Sequence, residues 1–122
     1  MRSNRPAALV ILAFVFAILA LAGGRGFRTQ DLLVDHYARH GHEFGKITMD
    51  QYLHMAQQLR DARPGKNILQ AIRPDKGGSK FDVQHGWFVA WNADRTIRTF
   101  FVPNDGVRYF ERQARHYGPT PE

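Results

Sequence analysis

The sequence predicts an α+β domain: two N-terminal helices packed on a four-stranded antiparallel sheet, preceded by a signal peptide or signal anchor. Three observations carry this. Thr48-Met49-Asp50-Gln51 has the spacing of a capping box, in which the Thr and Gln side chains satisfy each other's backbone N–H groups at a helix start. Tyr52, Met55, Ala56 and Leu59 then recur at helical spacing. From Asn67 the period falls to two, with turn residues between short apolar runs, as in strands joined into a meander.

Ahead of the domain, Arg2 and Arg5 precede an uninterrupted apolar run, Ala7 to Ala22, ending in Ala20-Leu21-Ala22 before two glycines. A basic start, an apolar stretch and a small-x-small site make a signal peptide cleaved after Ala22. At about 1.5 Å per residue the run reaches only about 24 Å, short of a hydrocarbon core of roughly 30 Å. Extended to Gly24, it also suits a signal anchor. The rest of the chain is then periplasmic or secreted in the first reading, and held at the inner membrane outside the cytoplasm in the second. The expected organisation is a signal or anchor over 1–22, a tether over 23–28, a domain over 29–117 and a tail over 118–122.

Within the domain, Thr29 caps a first helix running to about His40, with Asp31 in its first turn and Gly41 at its end. The capping box starts a second helix, broken by Arg63-Pro64-Gly65. Asn67 to Arg73 reads as the first strand and Pro74 to Gly78 as a hairpin loop. Lys80 to Gln84 reads as the second strand, with Phe81 and Val83 on one face and Lys80, Asp82 and Gln84 on the other. Trp87 to Trp91 is apolar on both faces, as a central strand is. Asn92 to Arg95 turns the chain into Thr96 to Val102, and Pro103 ends the sheet. Val107 to His116 has the composition of a short closing helix.

The chain contains no cysteine, so no disulfide compensates for a thin core. Without Arg2 and Arg5, 15 basic side chains face 11 acidic ones, a net +4 over 100 residues that suits a polyanion or an anionic surface.

The first helix carries the densest chemistry. Taking about 100° per residue from Leu32, His36 falls near 40°, His40 near 80° and Tyr37 near 140°, so both imidazoles share the inward arc. Two imidazoles on one apolar face of a basic chain suit proton transfer. If helices cover one face of the sheet, the other is free to form a groove, where Lys80, Arg98 and Thr99 meet a phosphate and Trp87 stacks a base. Arg98 and Thr99 are neighbours on one strand and share a face only if that strand twists or bulges.

Two imidazoles beside a fixed cation suffice for RNA cleavage by internal transesterification. One takes the 2′-OH proton, the other protonates the leaving 5′-oxygen, and the cation stabilises the phosphorane. No cofactor or metal is needed, since the nucleophile belongs to the substrate. The rival is zinc shared by His36 and His40 at i, i+4, with His42 or Glu43 as a third ligand. The zinc-protease glutamate is absent, its place being taken by Tyr37.

Asp35-His36-Tyr37-x-x-His40-Gly41-x-Glu43-Phe44-Gly45, the helix bearing Thr48 and Tyr52, and Thr96-Ile97-Arg98-Thr99-Phe100-Phe101-x-Pro103 form a set. It resembles the C-terminal ribonuclease domains of bacterial polymorphic and contact-dependent inhibition toxins, similar in architecture to the barnase, EndoU, colicin D and RelE group. The resemblance spans about Leu32 to Phe110. It implies an endoribonuclease acting on RNA, tRNA among the candidates, with His36 and His40 as the acid/base pair and Lys80, Arg98 and Thr99 toward phosphate. An immunity protein is the implied partner. The alternative is a non-enzymatic envelope or membrane-anchored module whose basic face binds a partner protein or anionic lipid.

Overall fold

A computed structural model describes residues 24–117; the expected signal or anchor and the tail over 118–122 lie outside the described residues. Helix α1 is Gln30–His40, followed by a 3-10 turn at Gly41–Phe44 and helix α2 at Met49–Asp61. Strands β1 (Ile68–Ile72), β2 (Gly78–Asp82), β3 (Trp87–Trp91) and β4 (Ile97–Phe101) follow, and helix α3 (Val107–Arg115) closes the chain. All neighbours in the sheet are antiparallel and in sequence order, so the domain is α+β with a four-stranded meander. Among the described residues no helix is long and apolar enough to cross a membrane.

Both helix starts follow from their caps. The Thr29 hydroxyl accepts from Leu32 N at 3.1 Å, and Thr48 and Gln51 make the reciprocal pair of the capping box. The end of α1 differs from expectation. Gly41 stays right-handed at φ −55° and opens the 3-10 turn; the left-handed glycine is Gly45, at φ 93°. Gly41 is needed for space, since a Cβ there would lie 2.5 Å from the Tyr37 ring. Strand β2 starts and ends two residues earlier than the pattern suggests. Asp82 accepts from Gln84 N and His85 N, bending the chain into a turn closed by Gly86 at φ 77°, and Val83 is left exposed.

The sheet is covered on both faces. Leu33 of α1 and Tyr52, Ala56 and Leu59 of α2 pack against Val89, Trp91, Ile97 and Phe100. The opposite face, expected to be free for a groove, carries a second core of Phe81, Phe88 and Ala90 beneath Phe110 of α3, with Leu69, Phe101 and Tyr109 around it. Helix α3 covers that face with its two aromatic side chains, Tyr109 and Phe110.

The expected tether is also docked. Gly26 O accepts from Ile97 N at 2.9 Å, and Phe27 bridges to Ile97 in parallel, which lines the start of β4's outer edge. The Gln57 amide donates to Gly24 O and Arg25 O, and the buried Arg60 guanidinium donates to Arg25 O and Arg95 O. Asp61 pairs with Arg60 and, at 2.6 Å, with Arg95.

Lys80 joins the layers. It is 4% exposed, and its ammonium donates to Arg60 O and Ala62 O, both at 2.5 Å, at the C-terminal end of α2. Lys80→Met keeps the volume but strands two carbonyls. It should therefore lower stability by about 2 kcal/mol, read as a lower urea midpoint at unchanged slope; an unchanged midpoint would show the bonds to be dispensable. Burial alone would raise the Asp61 carboxyl. Hydrogen bonds and charge from Arg60, with Arg95, outweigh it and hold the carboxyl below its ordinary 3.8. The stabilisation is thus present above that value and lost as pH falls through the lower folded one. Asp61→Asn should flatten this part of the acid-unfolding profile; a parallel profile at lower stability would contradict the assignment.

Candidate active site at the outer edge of β4

Helix α1 lies along the outer edge of β4. Its buried arc is centred on Leu33 and Tyr37, whose hydroxyl donates to Ile47 O at 2.6 Å, rather than on Leu32, which is exposed. The imidazoles consequently sit on the shoulder of the helix, half-buried, and not in the core as the helical arc suggests. His36 packs its ring on Phe27 at 4.9 Å, and His40 on Phe101 at 5.3 Å, with 6.3 Å between the two imidazole centroids.

Each imidazole is held by the same nitrogen. His36 Nδ1 lies 2.9 Å from Leu32 O, and His40 Nδ1 lies 2.9 Å from Glu43 Oε2. A backbone carbonyl and an ionised carboxylate only accept, so Nδ1 carries the proton in both rings and Nε2 is the basic atom of each neutral imidazole. The other Glu43 oxygen accepts from Val102 N at 2.8 Å. One carboxylate thereby orients His40 and fixes it to the end of β4.

The remaining predicted residues divide. Ala90 pairs with Thr99 and Trp91 with Ile97, so Arg98 is the extra residue of a β-bulge. The bulge resolves the alternation problem: Ile97 and Phe100 enter the α1/α2 core, while Thr99, opposite Ala90, lies on the α3 side with the exposed Arg98 beside it. The Arg98 charge bears on Asp75 and Tyr109. Phe27, which His36 touches, bridges to Ile97, and His40 touches Phe101. The imidazoles thus meet the two ends of β4, His36 through Phe27 and His40 at Phe101, while Arg98 and Thr99 between them face the α3 side.

Lys80 is not brought to this edge; its ammonium stays under α2 on two carbonyls, and burial above all lowers its pKa. Trp87 is half-buried, with Phe44 and Phe100 edge-on at 5.5 and 6.2 Å and His85 stacked on it at 4.4 Å. From the sequence alone, His85 takes no role and Glu43 only a ligand's. In both cases a carboxylate sits three residues from a histidine, the spacing that closes these two dyads. Buried Tyr52 donates to Phe100 O at 2.5 Å, and burial, with the Glu43 charge, pushes its hydroxyl far above the ordinary range.

Among the described residues no three His, Cys, Asp or Glu side chains gather as a metal-holding group, and the rival zinc set of His36, His40 and a third ligand is not among them. Scanned against protein-family models, the chain matches none, and a search of the curated proteins finds no relative.

Glu43→Gln tests the dyad. The amide oxygen keeps Val102 N, the amide N–H₂ faces Nδ1, and the His40 proton should move to Nε2. Imidazole nitrogen correlation spectra read this directly; a proton still on Nδ1 would show that Glu43 does not set the tautomer.

Proposed function

We propose that the protein is an exported, metal-independent endoribonuclease of toxin type, cleaving RNA by internal transesterification at the outer edge of β4. The observation that carries the reading is the pair of imidazoles, both tied through Nδ1 and separated by 6.3 Å.

His40 is the general base. Its Nε2 takes the 2′-OH proton while Glu43 stabilises the imidazolium that forms. The 2′-oxygen attacks phosphorus, the bond to the 5′-oxygen breaks, and protonated His36 delivers its Nε2 proton to that oxygen. The products are a 2′,3′-cyclic phosphate and a free 5′-hydroxyl. On this reading Arg98, from the α3 side of the same edge strand, supplies the cation for the phosphorane, and the Thr99 hydroxyl a further donor to phosphate. Lys80 has a structural role, because it is buried and its ammonium is held by two carbonyls at the end of α2. Trp87 packs against Phe44, the residue after Glu43, and so backs the turn that holds His40. The net positive charge suits a polyanionic substrate, with tRNA as the first to try, and an acidic inhibitor protein as partner. The apolar run Ala7 to Ala22 supports export.

The full-length protein in detergent should cleave single-stranded RNA in EDTA and leave cyclic phosphate ends. His40→Ala should slow cleavage by at least about 10²-fold with little change in melting temperature, whereas exposed His116→Ala should match the parent. Activity that vanishes on chelation and returns with zinc would overturn the mechanism. A folded His40→Ala variant at the parental rate would overturn the site.

A further inference from the structure

At the end of the sheet where β2 meets β3 lies a second imidazole held by a carboxylate. Asp82, mostly buried, accepts from Gln84 N and His85 N through one oxygen and lies 2.7 Å from His85 Nδ1 with the other. Three bonds from one turn fix the carboxylate, and it fixes the ring. One face of the imidazole lies on the Trp87 indole at 4.4 Å and 23°. The side chain is nevertheless 53% exposed, and no ring contact covers its other face among the described residues. A flat, rigid ring backed by a second aromatic and open on one side is what a nucleobase needs in order to stack, and such stacking tolerates any base.

A chain of contacts links this ring to the candidate site. Trp87 is paired with Asp82 across β2 and β3, Phe44 meets the Trp87 edge at 5.5 Å, and Phe44 directly follows Glu43, the residue that holds His40. Two strand spacings, about 10 Å, separate β2 from β4, the scale of a short stretch of single-stranded RNA. Trp87 itself is hemmed in by His85, Phe44 and Phe100, so the surface offered to a ligand is His85.

We propose that His85, stacked on Trp87 and held by Asp82, is the subsite for an unpaired base of the RNA substrate beside the cleaved phosphate. The assignment rests on the ribonuclease reading and is tested apart from it, by binding. The full-length protein in detergent is titrated against a short fluorescent 2′-O-methyl oligoribonucleotide, which cannot be cleaved. His85→Ala should raise Kd about tenfold, while His85→Phe, which keeps a ring over Trp87, should bind like the parent. On an oligomer of the same length lacking its bases, parent and His85→Ala should bind alike.

An unchanged Kd in His85→Ala would overturn the subsite, as would a His85→Phe variant as weak as the alanine, or an alanine defect that persists on the baseless oligomer. RNA cleavage by the parent is measured alongside. Its absence would sink the ribonuclease reading while a tenfold His85 effect on binding still stood; its presence with no His85 effect would sink only the subsite.

Discussion

The buried ammonium of Lys80 is the constraint on which the arrangement of this domain depends. A charge taken out of water must find fixed partners, and the carbonyls that end a helix, at the negative end of its dipole, are well suited to a cation. Lys80 finds two of them on α2, and its charge lies 5.5 Å from the Trp91 ring, which Arg95 approaches at 5.6 Å. Asp61 is the anion of this cluster, binding both Arg60 and Arg95. The C-terminal end of α2 is thereby fixed over β2 and β3. Near its other end Tyr52 is fastened to Phe100 O. With both ends of α2 held, the 3-10 turn before it can only arrive at the end of β4, where Glu43 takes Val102 N and orients His40.

The order and type of the described α-helices and strands were legible in the sequence, though not the 3-10 turn at Gly41–Phe44, because caps and periods are local signals: Thr29, the Thr48–Gln51 box and the alternation after Asn67 all act within a few residues. What was not legible depends on distant partners. Lys80 sits in an alternating strand and looks like a solvated cation; only the end of α2, some twenty residues away in sequence, makes it a buried one. The inward arc of α1 was misplaced because periodicity gives the spacing of a face and not its bearing. Leu32 and Leu33 are equally apolar, and the packing of Tyr37 over Gly41 selects Leu33.

The candidate site was half legible. His36 and His40 stood out by composition and spacing, and the pairing of Arg98 with Thr99 was recognised as requiring a bulge, which the strand has. The carboxylates that hold the imidazoles were the missing part. Glu43 after His40 and Asp82 before His85 are each three residues away, a weak pattern in a chain with this many charged side chains. It gains meaning only when the 3-10 turn and the β2–β3 turn fold the two groups together.

The docked segment from Gly24 to Phe27 sets the bearing of the whole domain. Arg60 and Gln57 grip its carbonyls, β4 pairs with it, and three residues after Gly24 the Phe27 ring touches His36. The carbonyls that α2 grips and the ring that His36 meets consequently belong to one four-residue segment, held along its length.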